Sequence, residues 1–453
     1  MGIITLRQAA EWCGGWVDPK YADVTFFGAN NDTRKLSPGE LFVALTGVRD
    51  GHDFVGTAFE KGAAAVLCTH CDGDYPAIVV DDTRLALGDI ARGERQKLGM
   101  KVVAVTGSVG KSTTKEMIAC VLEENYIVSK TPANHNNDIG MPMAILAMPE
   151  NTELAVLEMG MNHFREIAYL TAIGKPDVAV IINIGTMHME NLGSREGILK
   201  AKLEILEGLA ADGKAVFNGD DKLLWGCTDS IDADVTYFGT ENEGCAVRAK
   251  NVREENDCIY FTVCHSGQDF DIVLPIEGAH FVPDALAAIA VGLSLGVKPA
   301  GIAARLGKFH NMEGRQEIFQ AKGCTIIKDC YNAGPESMAA ALTVLGNRPG
   351  RHIAVLGDML ELGTSTPAEH YRIGRIAAEK AQLVFAYGPN ASRVVSGAVT
   401  GGMSDSAARA FSDRDQLAQA LCRQAREGDV ILFKGSHGMH MELALEAFLN
   451  EDK

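Results

Sequence analysis

The sequence predicts an α/β protein of three α/β domains, with a parallel sheet in the central domain and a Rossmann-like sheet in the last one. Three observations predict this class. The chain has 453 residues, which is more than a single compact core usually supports. Short, continuous apolar runs such as VVAVT, LAVLEM and VAVIINI alternate with helical segments, as expected for parallel strands that are covered on both faces. The first of these strands leads directly into a glycine turn.

The apolar runs also divide the chain into domains. Residues 1–98 contain LFVAL, AAAVLC and AIVVD between polar turns, which indicates a small α/β domain. The alternation becomes stronger from Lys101 onward, and we assign residues 99–310 to the central domain. A third series of strands, HIAVLGD, LVFAYG and VILFKG, defines the last domain over residues 311–453.

Composition disfavours several classes of protein. No apolar run is long enough to span a bilayer, and the first residues lack the pattern of a secretory signal, so we expect a cytoplasmic protein without membrane insertion. The formal net charge of −17 argues against nucleic acid as a partner, because phosphate binding requires clustered Lys and Arg. Eleven cysteines without a repeated spacing, among them the pair in CTHC, indicate neither a disulfide framework nor a zinc site.

The stretch VVAVTGSVGKSTTKEM has the layout of a phosphate-binding loop, although Val105 occupies the place of the first glycine in the full pattern. The N–H groups of such a turn and the positive end of the following helix attract an anion. Lys111 is placed to reach the β- and γ-phosphates, and the hydroxyl of Ser112 or Thr113 to bind Mg²⁺. The alternative is a glycine turn that binds nothing, which the Lys-Ser-Thr triplet disfavours. The predicted nucleotide-binding residues of the loop are Gly107, Ser108, Val109, Gly110, Lys111, Ser112 and Thr113.

Two polar residues follow other strands of the same expected sheet. Glu158 ends the run LAVLE, and His188 lies just beyond VAVIINI. Ligands bind at strand ends in doubly wound sheets, so both residues could converge on one magnesium–phosphate site. Each has an ordinary alternative, since Glu158 also fits a capping carboxylate and His188 a loop histidine. Histidine is moreover an unusual ligand for the hard Mg²⁺ ion.

The segment REGILKAKLEILEGL contains two lysines in different settings. Lys200 shares the polar side of the expected helix with Glu204 and Glu207, and this arrangement needs no further function. Lys202 falls among the apolar positions instead. It could snorkel along its aliphatic stem, or its pKa could be lowered so that the neutral amine reacts.

This combination resembles the ATP-dependent Mur ligases of peptidoglycan precursor synthesis, whose P-loop TGxxGKT/S also lacks the earlier glycine. The resemblance covers essentially the whole chain and implies a central P-loop ATPase-like parallel sheet. It implies that Lys202 carries a CO₂-derived carbamate, which holds one Mg²⁺ ion together with Glu158 and His188. Ser112 and Glu158 would bind a second Mg²⁺ ion. Lys111, Lys202, His188 and Glu158 are then the catalytic residues.

The resemblance also implies an activity and a role. The chain would be an ATP-dependent acid–amino-acid ligase that produces ADP and phosphate, and it would serve cell-wall biogenesis and thereby cell shape and division. KDCYNAGPESM and VLGDMLELG, followed by His370, are similar to the family members that add D-alanyl-D-alanine to UDP-MurNAc-tripeptide. A monomer is the simplest expectation for this family.

The first domain and one loop of the central domain match the family's substrate-binding segments. DTRKLSPGELFVALTGVRDGHDF is similar to its UDP-substrate-binding domain, and TPANHNNDIGMP matches its Asn-x-Asn-Asn-x-x-Gly stretch. The implied substrate contacts are Asp32, Thr33, Arg34, Thr46, Asn134, Asn136, Asn137, Tyr331 and Asn332. Further nucleotide contacts are implied at Asp284, Arg315 and Asp329.

The chain departs from the family pattern in places. HFVPDA replaces HNxxNA near the adenine, so Phe281 and Asp284 stand for two asparagines, although Asp284 could accept a hydrogen bond from the adenine amino group. Arg165 replaces a common glycine, Gly334 an asparagine and His437 an arginine. We therefore expect intact ATP and metal residues, with altered surroundings for the adenine and the acceptor.

Three alternatives stay open. A Mur-type or folylpolyglutamate synthase-like ligase with a different acceptor would share the central and last domains, but the latter enzyme lacks the Asp-Thr-Arg domain of residues 1–98. A nucleotide-binding homologue with impaired catalysis is suggested by Phe281, Gly334 and His437, and the retained catalytic residues disfavour it. A P-loop kinase or GTPase would need neither Lys202 nor a third domain.

Overall fold

Four β-sheets organise the part of the chain that the structure, a computed structural model, describes: residues 2–451. Helices alternate with mainly parallel strands along this part, so the expected α/β class is confirmed. The domain boundaries at residues 98 and 310 stay predictions.

The N-terminal part of the chain forms a short antiparallel strand pair and a four-stranded parallel sheet. Its elements are β1 (Ile4–Thr5), α1 (Leu6–Cys13), β2 (Thr25–Phe26), β3 (Ala29–Asn30), β4 (Leu41–Val43), α2 (Val55–Glu60), β5 (Ala65–Cys68), β6 (Ala77–Val79) and α3 (Thr83–Leu98). The parallel sheet has the order β3-β4-β5-β6. Helix α3 begins after Asp82, whose side chain accepts from the N–H groups of Arg84 and Leu85, and ends at Gly99 in the left-handed conformation.

The middle of the chain forms a nine-stranded sheet. Its elements are β7 (Lys101–Thr106), α4 (Lys111–Leu122), β8 (Val128–Lys130), α5 (Gly140–Leu146), β9 (Leu154–Glu158), α6 (Glu166–Gly174), β10 (Val178–Ile181), α7 (Met189–Leu192), α8 (Arg195–Leu203), β11 (Lys214–Asn218), α9 (Lys222–Gly226), β12 (Asp234–Gly239), β13 (Val247–Glu255), β14 (Cys258–His265), β15 (Gln268–Leu274), α10 (Val282–Ser294) and α11 (Pro299–Leu306). The strand order is β15-β14-β13-β12-β11-β10-β7-β9-β8.

The strands β7 to β13 of this sheet pair in parallel wherever they are neighbours, and β14 and β15 extend it as an antiparallel meander. The meander was not predicted, because its strands are not continuous apolar runs. In β14 the buried residues Ile259, Phe261 and Val263 alternate with less buried ones, as in antiparallel strands with one solvated face.

The core of the middle sheet lies on both of its faces. Val103 and Val105 of β7 pack into one apolar cluster, together with residues of α4 and α10. Val102 and Ala104 of the same strand pack into the cluster on the opposite face. Because both faces are covered, β7 is rigidly held where it enters the turn that precedes α4.

The last part of the chain forms a six-stranded sheet with helices on both faces. Its elements are β16 (Glu317–Ala321), β17 (Cys324–Asp329), α12 (Pro335–Asn347), β18 (His352–Gly357), α13 (Thr366–Lys380), β19 (Leu383–Tyr387), α14 (Ala391–Thr400), β20 (Ala408–Phe411), α15 (Arg414–Gln424), β21 (Val430–Lys434) and α16 (Met441–Asn450). The order is β16-β17-β21-β18-β19-β20, and among the described strands of this sheet only β16 pairs antiparallel. None of the helices within residues 2–451 is long and apolar enough to cross a bilayer.

Candidate active site

A cavity of about 940 Å³ lies at the carboxyl ends of β7, β9 and β10, with the last domain forming its other wall. Strand β7 lies between β9 and β10 in the sheet, so the segments that follow these strands meet at one edge. The cavity is lined by the predicted residues Ser108, Val109, Gly110, Lys111, Ser112, Thr113, Asn134, Asn136, Asn137, Glu158, His188, Asp284, Arg315, Asp329, Tyr331 and Asn332. Of the other predicted residues, Gly107, Lys202, Asp32, Thr33, Arg34 and Thr46 lie outside that lining.

The glycine turn between β7 and α4 is held by Asn183, which follows β10. Its Oδ1 atom accepts from the N–H groups of Ser108 and Val109, at 3.0 Å each, and its Nδ2 atom donates to the Val109 carbonyl oxygen at 2.8 Å. Gly110 has φ +88°, and no side chain of residues 2–451 caps the helix that begins after it. The first-turn N–H groups of α4 are therefore the ones available to an anion.

Gly110 is required both by its conformation and by its surroundings. A Cβ atom built at this position would lie 2.5 Å from Oδ1 of Asp284. Asp284 accepts a hydrogen bond from Thr114 Oγ1 at 2.8 Å, and burial raises the pKa of its carboxyl to about 7. The carboxyl group that replaces a family asparagine thus contacts the phosphate-loop helix, and its contact with adenine stays a prediction.

Lys111 folds back over the turn, where its Nζ atom donates to the carbonyl oxygen of Gly107 at 2.9 Å. Burial lowers the pKa of the Lys111 ammonium, and the negative charge of Glu158 partly opposes this effect. The lysine therefore lies directly beside the glycine turn, as its position in the sequence predicts, and binding of an anion there stays a prediction.

Glu158, at the end of β9, is the centre of a buried polar cluster. Its Oε2 atom accepts from Ser112 Oγ and its Oε1 atom from Asn136 Nδ2, both at 2.8 Å. The Nζ atom of Lys115 lies 3.8 Å from Oε2 and donates to the Thr131 carbonyl oxygen at 2.7 Å. Lys115 is fully buried, so a buried ammonium lies beside the Glu158 carboxylate within this cluster.

Arg315 reaches this cluster from the last domain. Its Nη2 atom donates to Ser112 Oγ at 2.8 Å, and its guanidinium stacks 4.1 Å above the ring of Tyr331. Within the described chain, Arg315 Nε, Tyr331 Oη and Thr106 Oγ1 are buried without a hydrogen-bond partner. Arg315 and Tyr331 line the cavity, and unpaired polar atoms at such a place indicate a polar ligand site.

The last domain also contributes an ion pair between Lys434 and Asp329 to this region. Lys434, at the end of β21, donates from Nζ to Asp329 Oδ2 at 2.6 Å and to the carbonyl oxygen of Asn332 at 3.0 Å. The predicted residues Asp329 and Asn332 are therefore fixed by a lysine from a neighbouring strand. That strand pairing puts Lys434 beside them.

His188 forms part of the boundary between the central and last domains. Its Nδ1 atom lies 3.3 Å from Oε2 of Glu361, and this contact lowers the pKa of the Glu361 carboxyl. Nearby, Thr186 Oγ1 donates to Glu336 Oε1 at 3.0 Å. Two carboxylates of the last domain thus contact the segment that follows β10.

Lys202 lies in the last turn of α8 and is only 2% exposed. Burial, together with the positive charge of Lys111, lowers the pKa of Lys202 well below its ordinary value. No hydrogen bond or ion pair to its ammonium group is found among residues 2–451. Snorkelling to solvent is therefore the wrong interpretation, and a neutral buried amine is favoured.

The predicted substrate residues of the first domain form a separate group. Arg34 donates to both carboxylate oxygens of Asp32, at 2.9 and 2.8 Å, which holds the pKa of Asp32 well below its usual range. Lys61 Nζ donates to the carbonyl oxygen of Thr33 at 2.8 Å, and Thr46 forms an isolated bridge with Asp50. Their contact with a substrate stays a prediction.

Three residues of the site carry no clear signal in the sequence. The role of Asn183 can be recognised only once the pairing of β7 with β10 is known. The role of Glu361 can be recognised only once the contact between the two domains is known. Lys115 follows the Lys-Ser-Thr-Thr pattern on α4, and its helical spacing to the apolar Ile118 and Leu122 is the one signal that could have marked it as buried.

Comparison with known proteins connects this site to a family. The Mur ligase middle domain matches residues 105–292, and the Mur ligase glutamate ligase domain matches residues 314–437. A Bacillus subtilis (strain 168) protein, UDP-N-acetylmuramoyl-tripeptide–D-alanyl-D-alanine ligase, is 42% identical over 97% of this chain and 96% of its own length. The protein of the same name from Escherichia coli (strain K12) is 36% identical over 98% of each chain.

Solved structures give the same result. A crystal structure of MurF from Acinetobacter baumannii superposes with a TM-score of 0.90 at 31% identity and covers 100% of both chains. The structure of MurF ligase from Thermotoga maritima in complex with ADP has a TM-score of 0.82 at 29% identity, covering 94% of this chain and 97% of the other. The resemblance expected from the sequence motifs is confirmed.

Proposed function

The chain belongs to the Mur ligase family, and we propose that it is the ATP-dependent ligase that adds D-alanyl-D-alanine to UDP-MurNAc-tripeptide. Relatives with this named activity match it over nearly its full length. The observation that carries the proposal is the contact of Arg315, from the last domain, with Ser112 of the phosphate loop. A nucleotide bound at the first turn of α4 would lie between two domains. We further propose that the enzyme acts as a cytoplasmic monomer.

The proposed reaction activates a carboxylate before the amide bond forms. The γ-phosphate of ATP is transferred to the terminal carboxylate of the tripeptide, which gives an acyl phosphate and ADP. The amine of D-alanyl-D-alanine attacks the acyl carbon and loses a proton, the bond from that carbon to the phosphate oxygen breaks, and phosphate leaves with the electron pair of that bond. The positive charges of Lys111 and Arg315 and the N–H groups of α4 surround the transferring group, so they offset its developing charge.

Mg²⁺ is supported by the type and place of the oxygen donors. Ser112 Oγ and Glu158 Oε2 lie 2.8 Å apart at the mouth of the phosphate loop, and such hard oxygens suit Mg²⁺. Residues 2–451 contain no preformed group of three or more His, Cys, Asp or Glu side chains for a metal ion. The two proposed ions would therefore depend on phosphate oxygens as well as on Ser112, Glu158 and His188. Bound Mg²⁺ would neutralise phosphate charge.

Arg315 contacts the same hydroxyl that is proposed as a metal ligand. Its Nη2 atom lies 2.8 Å from Ser112 Oγ, so the guanidinium has to leave this oxygen before a cation can bind there. We propose that it then turns to the phosphates of the nucleotide. This exchange keeps the positive charge of Arg315 in the site while Ser112 becomes a ligand.

The proposed carbamate on Lys202 is supported by the state of that side chain. A buried amine whose pKa is strongly lowered loses its proton more readily than an ordinary lysine, and the neutral amine can react with CO₂, releasing one proton. The product places an anion near Lys111 where the amine had no partner among the described residues, and the positive charge of Lys111 favours that anion. The carbamate oxygens would supply the hard ligands that the amine lacks.

The direct test is a reaction with purified protein, ATP, Mg²⁺ and UDP-MurNAc-tripeptide, with and without D-alanyl-D-alanine. We expect phosphate release and a UDP-MurNAc-pentapeptide, identified by mass spectrometry, only when all three substrates are present. If ATP binds while neither a diaminopimelate- nor a lysine-containing tripeptide gives product, the acceptor is a different amine or the protein does not catalyse ligation.

A further inference from the structure

Glu361 of the last domain is the acidic residue closest to His188 across the domain boundary. Its Oε2 atom lies 3.3 Å from His188 Nδ1, and both side chains line the large cavity. Glu361 is also near enough to Lys111 to raise the pKa of that ammonium against the effect of burial. A carboxylate of one domain therefore contacts the histidine of the other beside the phosphate loop.

Both partners hold this contact from unusual backbone conformations. His188 has φ +64° and Glu361 has φ +62°, in the left-handed region that residues with a Cβ atom avoid. Such conformations persist where the surroundings impose them, and they are frequent at functional sites. The backbone on both sides thus fixes where the two side chains begin, while the Glu361 side chain itself is 62% exposed.

The loop that carries Glu361 is anchored within its own domain. The N–H group of Met359 donates to His370 Nε2, and that of Leu360 donates to Ser436 Oγ, both at 2.9 Å. His370 is fully buried. Glu361 is therefore presented to the central domain from a rigid support, and its position relative to His188 depends on how the two domains meet.

The same loop fits closely against the segment that carries His188. A Cβ atom built at Gly363 would lie 2.9 Å from Cβ of Glu190, two residues after the histidine. Glu336, in helix α12 of the last domain, accepts a hydrogen bond from Thr186 Oγ1 at 3.0 Å. The last domain therefore places a second carboxylate against this segment, and that carboxylate does not contact the imidazole of His188. That second contact supplies a matched control.

We propose that Glu361 is a positioning residue that orients the ring of His188 and fixes its tautomer when the last domain packs against the central one. This inference rests on the proposed function, in which His188 serves the metal and phosphates. A carboxylate that accepts from Nδ1–H leaves Nε2 unprotonated and able to act as a ligand. Because the carboxylate belongs to the other domain, the histidine becomes fully oriented only in the closed arrangement.

The test is nitrogen NMR of the full chain with labelled histidine, the His188 signals being identified by their loss in His188→Gln. Two variants separate the effect of side-chain length at position 361 from the effect of the left-handed backbone conformation there. Glu361→Gln keeps the length and an accepting oxygen, whereas Glu361→Asn tolerates the left-handed conformation but is one methylene too short. Glu336→Asn is the control, and thermal unfolding of each variant verifies folding.

We expect a protonated Nδ1 and a bare Nε2 for His188 in the wild type, in Glu361→Gln and in Glu336→Asn. In Glu361→Asn we expect the Nε2–H form or an exchanging mixture. A wild-type His188 protonated on Nε2, or an unchanged Nδ1–H signal in a folded Glu361→Asn variant, would overturn the proposal.

A second measurement separates this inference from the proposed function. Binding of Mn²⁺ with a non-hydrolysable ATP analogue should weaken about tenfold or more in Glu361→Asn, as for other residues that orient a metal-binding histidine. A changed tautomer with unchanged Mn²⁺ affinity would confirm the positioning contact and remove His188 from the proposed metal ligands.

Discussion

Lys202 is the residue whose chemistry departs furthest from that of an ordinary lysine. It lies within the core at 2% exposure, without a partner among the described residues, and burial lowers its pKa strongly. Lys200, two positions earlier, is exposed, with its ammonium above the ring of Phe164. The helix thus supplies a matched pair of lysines with opposite environments.

The matched pair gives the first prediction. Lys202→Met should lower the rate of ligation about 100-fold or more, since a charge-stabilising group is lost from the site, while the melting temperature stays the same or rises because an unpaired buried amine is removed. Lys200→Met should change neither quantity. Steady-state kinetics and thermal unfolding measure both, and equal rate losses in the two variants would contradict the assigned role.

The second prediction concerns Asp284 and pH. Burial raises the pKa of this carboxyl from 3.8 to about 7, so the folded protein binds an additional proton between those values. Stability therefore falls as the pH rises through this window, and the loss is complete above the folded-state pKa. Asp284→Asn removes the titration.

The variant should thus gain stability relative to the wild type between about pH 5 and about pH 8. ATP affinity of the wild type should also fall more steeply above neutral pH, because an ionised Asp284 repels the phosphates next to Gly110. Thermal unfolding at about pH 5 and about pH 8 measures the stability difference, and titration with ATP at the same two pH values measures the affinity. Parallel curves for the two proteins would show that Asp284 does not titrate there.

The sequence predicted the residues whose chemistry is local, and it missed those that depend on tertiary contact. Lys111 and Ser112 follow from the spacing of the turn, and Lys202 from its place on an apolar helix face. Asn183 and Glu361 act through a neighbouring strand and a neighbouring domain. No spacing along the chain encodes such contacts, so these two residues could not be found without the fold.

At the scale of elements, the site depends on the order of three strands. Strand β7 lies between β9 and β10, which brings Glu158, the glycine turn and the segment of His188 to one edge. The continuous apolar runs predicted these strands and their parallel pairing. They did not predict the meander of β14 and β15, because β14 alternates between buried and less buried residues and does not form a continuous apolar run.

The third prediction belongs to the turn before α4. Gly110→Ala should destabilise the protein by about 1–3 kcal/mol and weaken ADP binding strongly, since the new Cβ atom would press on Asp284. Gly99→Ala is the control, because Gly99 also has positive φ but no described heavy atom near its Cβ position. That variant should show the backbone cost of about 1–2 kcal/mol alone.

Urea unfolding and calorimetric ADP titration compare the two glycine variants. If Gly110→Ala bound ADP as well as Gly99→Ala does, the first turn of α4 would not be the phosphate site. An equal loss of stability in both variants would instead show that the crowding against Asp284 is relieved by a small shift.

At the scale of the whole molecule, the two larger domains share one cavity. Arg315 contacts Ser112, Glu361 contacts His188, and Glu336 contacts Thr186 across the boundary. Domain closure of this kind excludes water from a reactive acyl phosphate.

The fourth prediction tests this shared site. Arg315→Ala should weaken ATP binding about tenfold or more, because a charged hydrogen-bond donor is lost from the phosphate region. It should also loosen the contact between the domains, seen as a larger radius of gyration in small-angle scattering. Arg372→Ala is the control, since Arg372 is paired with Glu369 within its own helix. Unchanged ATP affinity in Arg315→Ala would place the nucleotide elsewhere.

The central claim is that the shared cavity activates a carboxylate by transferring phosphate to it. The most direct measurement uses UDP-MurNAc-tripeptide labelled with oxygen-18 in its terminal carboxylate, together with ATP and D-alanyl-D-alanine. The account predicts one labelled oxygen in each released phosphate, because the carboxylate oxygen that receives the phosphoryl group leaves with it. Pentapeptide formation with unlabelled phosphate would contradict the account.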